Sequence, residues 1–128
     1  MRAFLKGIDK RDEKFIINAM SNIEMESGEA VIKAGCYERC IILVAGGELV
    51  AFKDSENTVY QEGAILGIEQ FLFNKPWPDQ LICKQQATLC KFTYDGMVDM
   101  ISSNALAASR FYKRIVRHYC FTQIYEKK

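Results

Sequence analysis

The chain has 128 residues, 49% of them hydrophobic and 26% charged, which is the composition of one ordinary globular domain with enough chain for a real core. That excludes low-complexity disorder, collagen and a disulfide scaffold. Seventeen Lys and Arg against sixteen Asp and Glu give a net charge of +1, so the surface is not built throughout to hold nucleic acid.

The charge is unevenly placed: residues 1–104 carry eleven basic and fifteen acidic side chains, residues 105–128 six and one. No apolar run approaches the roughly 18 residues of a membrane span, and the longest, Cys40 to Ala45, has strand length. The start has a basic residue but no apolar stretch behind it, so no secretory signal is expected. Of five cysteines, Cys40, Cys83 and Cys90 sit in apolar runs, and the single histidine, His118, falls far along a helix. They are read as reduced structural thiols of a cytoplasmic protein, and no metal site is expected.

From Asp9 to Met20, Phe15, Ile16, Ala19 and Met20 recur at helical spacing behind Asp9 as N-cap, predicting a short amphipathic helix. From Ile23 the period changes to two, and short β-rich runs follow: Ala30 to Lys33, Cys40 to Val44, Glu48 to Lys53, Thr58 to Gln61, Asp79 to Lys84 and Ala87 to Thr93. Gly28, Gly35, Gly46-Gly47, the segment Asp54 to Asn57, Gly63 and Gly67 separate them. After Gly67 the residues favour one or two helical turns, stopped by Asn74-Lys75-Pro76-Trp77-Pro78. From Asp95 onward two helices close the chain, joined and capped at Ser102-Ser103-Asn104. The expected fold is α+β, mainly β. It comprises an antiparallel β-barrel or jelly roll (double-stranded β-helix), an N-terminal helix, a short helix interrupting the barrel and two C-terminal helices, in a single domain over residues 1–128.

That order resembles the cyclic nucleotide-binding domain family, as in the catabolite activator protein, protein kinase A regulatory subunits and nucleotide-gated channels. Gly28-Glu29-Ala30-Val31-Ile32 with Gly35 resembles an early strand and turn of the family, and Ile41 to Val44 followed by Gly46-Gly47-Glu48-Leu49 is similar to its hairpin. Gly63-Ala64-Ile65-Leu66-Gly67 resembles the opening of its phosphate-binding cassette, and Ala87 to Phe92 its closing strand. The resemblance implies that amides at the short helix receive a cyclic phosphate, an Arg neutralises it and a Glu accepts the ribose hydroxyl. Here the cassette departs from the pattern. Ile68 follows Gly67 where Glu is expected, Glu69 comes one place later, and no arginine occurs between Arg39 and Arg110. The nearest cation is Lys75, and the arginine position falls near Trp77 or Pro78.

The candidate pocket is therefore Leu66, Gly67, Ile68, Glu69, Gln70, Lys75, Trp77, Asp79 and Gln80, with Phe111, Ile115 and Tyr119 of the last helix as a lid. Arg110, Lys113, Arg114 and Arg117 line a basic face beside Lys127-Lys128. It is read as solvated, or as a site for acidic lipid, phosphate backbone, an acidic partner or the acidic barrel. With no Cys-His or Ser-His pairing, P-loop or Rossmann glycines, an enzyme is not expected. The reading is a regulatory module with lost or altered nucleotide binding, acting through a protein partner, the rest of a larger parent chain or an unusual ligand. The alternative is a working sensor of cyclic AMP or cyclic GMP. No DNA-binding element and no cofactor beyond such a nucleotide are expected, and membrane contact is expected only through a parent protein.

Overall fold

A computed structural model describes residues 5–52 and 56–125, the side chains of the last two of these excepted. The strand end at Lys53, the Tyr125 side chain and the Lys127-Lys128 pair lie outside the described residues. Helix α1 (Lys10–Ala19) starts where the sequence places it, because the Asp9 carboxylate accepts the Arg11 backbone N–H at 2.9 Å. Its Ile16 is buried, and so, unexpectedly for a charged residue, is Asp12.

Six strands follow: β1 (Met20–Met25), β2 (Ala30–Ile32), β3 (Cys40–Phe52), β4 (Asn57–Tyr60), β5 (Ile65–Leu66) and β6 (Gln80–Thr93). All pairings are antiparallel, and the sheet path runs β1-β6-β3-β4, with β2 also on β6 and β5 on β3. This is the expected jelly-roll architecture, although the sheet does not close, since β1 and β4 at the two ends of the path do not pair among the described residues.

The strand count needs one correction. Cys40 to Val44 and Glu48 onward, expected as separate strands around a Gly46-Gly47 turn, are one bent strand, β3. Likewise Asp79 to Lys84 and Ala87 to Thr93 merge into β6, which begins at Gln80. The glycines mark a bulge: the β3–β6 register shifts between Val44 and Leu49. At Gly47, φ is 80° and an added Cβ would lie 2.1 Å from the Gln86 carbonyl oxygen. Only glycine lets the two long strands bend this closely together.

Strand β3 is the wall between two cores. Ile41 and Leu43 face a helical cluster that includes Ile16, Phe92, Phe111 and Ile115. Cys40, Ile42 and Val44 face the sheet interior with Leu49, Trp77, Leu81 and Leu89. Burial on both faces explains an apolar run without alternation. Helix α2 (Ile68–Phe73) lies between Gly67 and Asn74, both in the left-handed region at φ 90° and 52°. Helix α3 (Tyr94–Ser103) is capped by the Thr93 hydroxyl, which accepts the Gly96 N–H at 3.0 Å. Helix α4 (Ala105–Tyr125) is capped by the Asn104 side-chain oxygen, which accepts the Ala107 N–H at 3.1 Å. Met97 and Met100 of α3 are buried, and Ile101 is 52% exposed. On α4, Ala107, Ala108, Phe111 and Ile115 are buried while Tyr112 faces solvent.

Candidate ligand pocket

Six residues separate the end of α2 from the start of β6, and Trp77 sits among them with three anchors. Its N–H donates to the Cys36 carbonyl at 2.9 Å, its own carbonyl accepts the Gly35 N–H at 2.7 Å, and its indole N–H donates to the Glu38 carbonyl at 2.7 Å. The two prolines supply no competing N–H, so the segment's backbone pairs with the turn before β3 instead of extending a helix. The indole is 5% exposed and lies against Gly67, where an added Cβ would come within 2.6 Å of two ring carbons and 2.4 Å of the Cys40 carbonyl oxygen.

Beside the ring remains a cavity of about 140 Å³, lined among others by Tyr60, Leu66, Gly67, Gln70, Trp77 and Asp79. Sites for small organic ligands span roughly 300–1,000 Å³, so this space is too small for a nucleotide without movement of the ring. The Gln70 side chain, 9% exposed, lines the cavity. It offers both a donor and an acceptor.

The other sequence-selected residues are dispersed. Ile68 turns into the helical cluster. Glu69 accepts from Lys75 at 2.7 Å in an exposed ion pair, which raises the Lys75 pKa, chiefly through that hydrogen bond. Gln80 is exposed at the start of β6, opposite Phe52. Neither carboxylate nor ammonium of the Glu69–Lys75 pair lines the cavity. On α4, Phe111 stacks edge-on to Phe92 at 5.0 Å, Ile115 is fully buried, and Tyr119 meets Phe73 of α2 at 5.3 Å. The helix thus touches the short helix, yet none of these three residues lines the Trp77 cavity.

Arg39 is the functional-looking residue that sequence reasoning passed over. Its guanidinium lies over the Tyr94 ring at 3.8 Å and donates to the Phe71 carbonyl at 2.8 Å and the Leu72 carbonyl at 3.5 Å. A cation on the last carbonyls of a helix complements its dipole, so the chain's nearest upstream arginine holds the far end of α2. Sequence spacing gave no signal of this, because Arg39 lies 32 residues from Phe71. The Lys91–Glu38 ion pair fixes the strand beside it. The cysteines are free, Cys40 and Cys83 buried, and burial pushes the Cys40 thiol up to about 12. Such a thiol is inert at neutral pH.

No protein-family model matches the chain, and no curated protein matches it. Among solved structures, it is similar to the N-terminal domain of a transcriptional regulator from Streptomyces coelicolor A3(2), with TM-score 0.76, 12% identity, 94% of this chain and 88% of that one covered. A cyclic nucleotide-binding domain from Methylobacillus flagellatus KT gives TM-score 0.76 and 12% identity over 93% of this chain and 71% of that one. The regulatory domain of Toxoplasma gondii protein kinase A, crystallised with cAMP, gives TM-score 0.66 and 25% identity over 77% of this chain and 41% of that one. The chain is therefore built on the fold of the cyclic nucleotide-binding domains. These similar structures are regulatory or nucleotide-binding domains. No helix within the described residues is long and apolar enough to cross a membrane.

Proposed function

We propose that this chain is a non-catalytic regulatory module in which the space of the nucleotide pocket is taken by the protein's own Trp77. Cyclic nucleotide binding is lost, and the module works through a protein partner or the remainder of a larger cytoplasmic chain. The observation that carries the reading is Trp77, held by two backbone hydrogen bonds and one from its indole N–H, with the ring packed on Gly67 at the turn where the family's cassette would receive a phosphate. A phosphate there would meet neither a forked cation nor a free ammonium, since Arg39 is held on α2 and Lys75 on Glu69. Residues 1–128 act as one domain in this reading.

The alternative is a sensor of cyclic AMP or cyclic GMP, favoured by the retained left-handed Gly67 turn before α2 and by the cAMP complex of the 25%-identical Toxoplasma domain. It requires Trp77 to swing out. Calorimetric titration of the 128-residue chain with each nucleotide separates the two. We expect no saturable heat up to millimolar nucleotide; saturation in the micromolar range would overturn the proposal and establish the sensor.

A further inference from the structure

A second cavity, of about 260 Å³, lies on the opposite core from Trp77, between the turn preceding α1 and the basic face of α4. Arg110, Lys113, Arg114 and Arg117 line it at i, i+3, i+4 and i+7, so they share one helix face. Against these four cations stand two carboxylates, Asp9 and Asp12, and each is already engaged. Asp9 accepts from the Arg11 guanidinium at 2.7 Å. Asp12, buried, accepts Arg110 Nε at 2.6 Å and Nη2 at 2.7 Å.

That fork fixes the Arg110 guanidinium while using two of its five N–H donors. Arg114 is held in turn: its Nη1 donates to the Lys6 carbonyl at 2.9 Å, and its Nη2 lies beside Gly7, whose φ of 80° lets the turn pass close to the helix. Lys113 and Arg117 are exposed and have no ion-pair partner among the described residues. Two placed guanidiniums, two uncommitted cations and a concavity thus coincide in a chain whose first 104 residues are acidic overall. At about 30 Å³ per water-sized unit the cavity has room for a phosphate and part of what carries it.

We propose that this cavity binds the phosphate group of a phosphomonoester, presented either by a soluble metabolite or by a lipid headgroup. Phosphate suits it better than a peptide carboxylate, because three acceptor oxygens can meet cations on neighbouring turns at once. The site is independent of the Trp77 pocket, so it stands whether or not a cyclic nucleotide binds there.

The test is titration of the full chain with inositol trisphosphate, and co-sedimentation with phosphatidylcholine vesicles with and without phosphatidylinositol 4-phosphate, each repeated on Lys113→Ser/Arg117→Ser. Both positions are exposed, and an unchanged Tm confirms that the variant folds. Binding of the soluble ester, weakened at least about tenfold in the variant, supports the site with a soluble ligand. Binding only to phosphoinositide vesicles, lost in the variant, supports it with a lipid headgroup. The proposal is overturned if neither probe binds, if the variant binds as well as the parent, or if polyglutamate competes as effectively as the phosphate ester.

Discussion

Trp77 is where one residue's identity decides most about the pocket. An arginine here would bring a charge that needs a counter-charge, Asp79 or a bound anion, beside the apolar Leu66, Leu81 and Ala51; the indole fills the same region and satisfies its one polar group on the Glu38 carbonyl. Trp77→Ala should lower the unfolding free energy by about 3–5 kcal/mol in a urea titration, the usual cost of deleting a large buried aromatic, and an effect near zero would show that the ring is not packed as described. Lys75 tests the other side of the argument. Its ion pair with Glu69 is exposed, and exposed pairs contribute little. Lys75→Ala should therefore leave Tm unchanged, whereas a clear loss would mean that the pair secures α2.

At the scale of elements, the long strands and the last helix carry the fold together. Strand β3 presents alternate residues to two cores, so disturbing either side is felt through it. Helix α4 supplies Phe111 and Ile115 to the helical core, where the Phe111 ring meets Phe92 and Phe92 in turn meets Phe71. Truncation after Arg110 is expected to lower Tm and raise binding of an apolar dye without enlarging the Trp77 cavity. Ile115→Ala, a milder version, should cost about 2–5 kcal/mol in unfolding free energy. A truncated chain that melts like the parent would show that α4 is peripheral.

Across the whole molecule, the contact of the N-terminal helix with the last helix rests on the Asp12–Arg110 fork, which spans 98 residues of sequence. The Arg110 hydrogen bonds hold the Asp12 carboxyl below its ordinary 3.8, against the opposing effect of burial. A carboxylate with a depressed folded-state pKa stabilises the fold fully above its ordinary value, and that contribution is lost as pH falls through the folded value. Asp12→Asn should thus lower Tm at neutral pH, by about 4 °C for each kcal/mol lost in a chain of this length, and the gap to the parent should narrow once the pH drops below 3.8. A gap independent of pH would assign the effect to packing instead of charge. The same fork accounts for part of the uneven charge, since Arg110 of the basic helix pairs with Asp12 of α1.

What the sequence determined by itself was local. Helix ends were legible at Asp9 and Asn104 because a capping side chain acts within three residues, and at Asn74 because two prolines follow. Period-two runs and ordered glycines sufficed for the jelly-roll class, and the absence of an arginine between Arg39 and Arg110 was enough to doubt the phosphate clamp. The tertiary structure decided what depends on residues distant in the chain. Gly46-Gly47 has the composition of a turn, and only the approach of Gln86 across the sheet makes it a bulge within one strand. The sequence selects Glu69 and Lys75 as candidate ligands one at a time, and their pairing with each other is visible only in the structure. Trp77 between two prolines reads first as packing over the barrel mouth and second as a stacking platform. Its three anchors, on Gly35, Cys36 and Glu38 some forty residues upstream, are contacts that sequence periodicity cannot encode, because periodicity reports which face of an element is buried and not what lies against it.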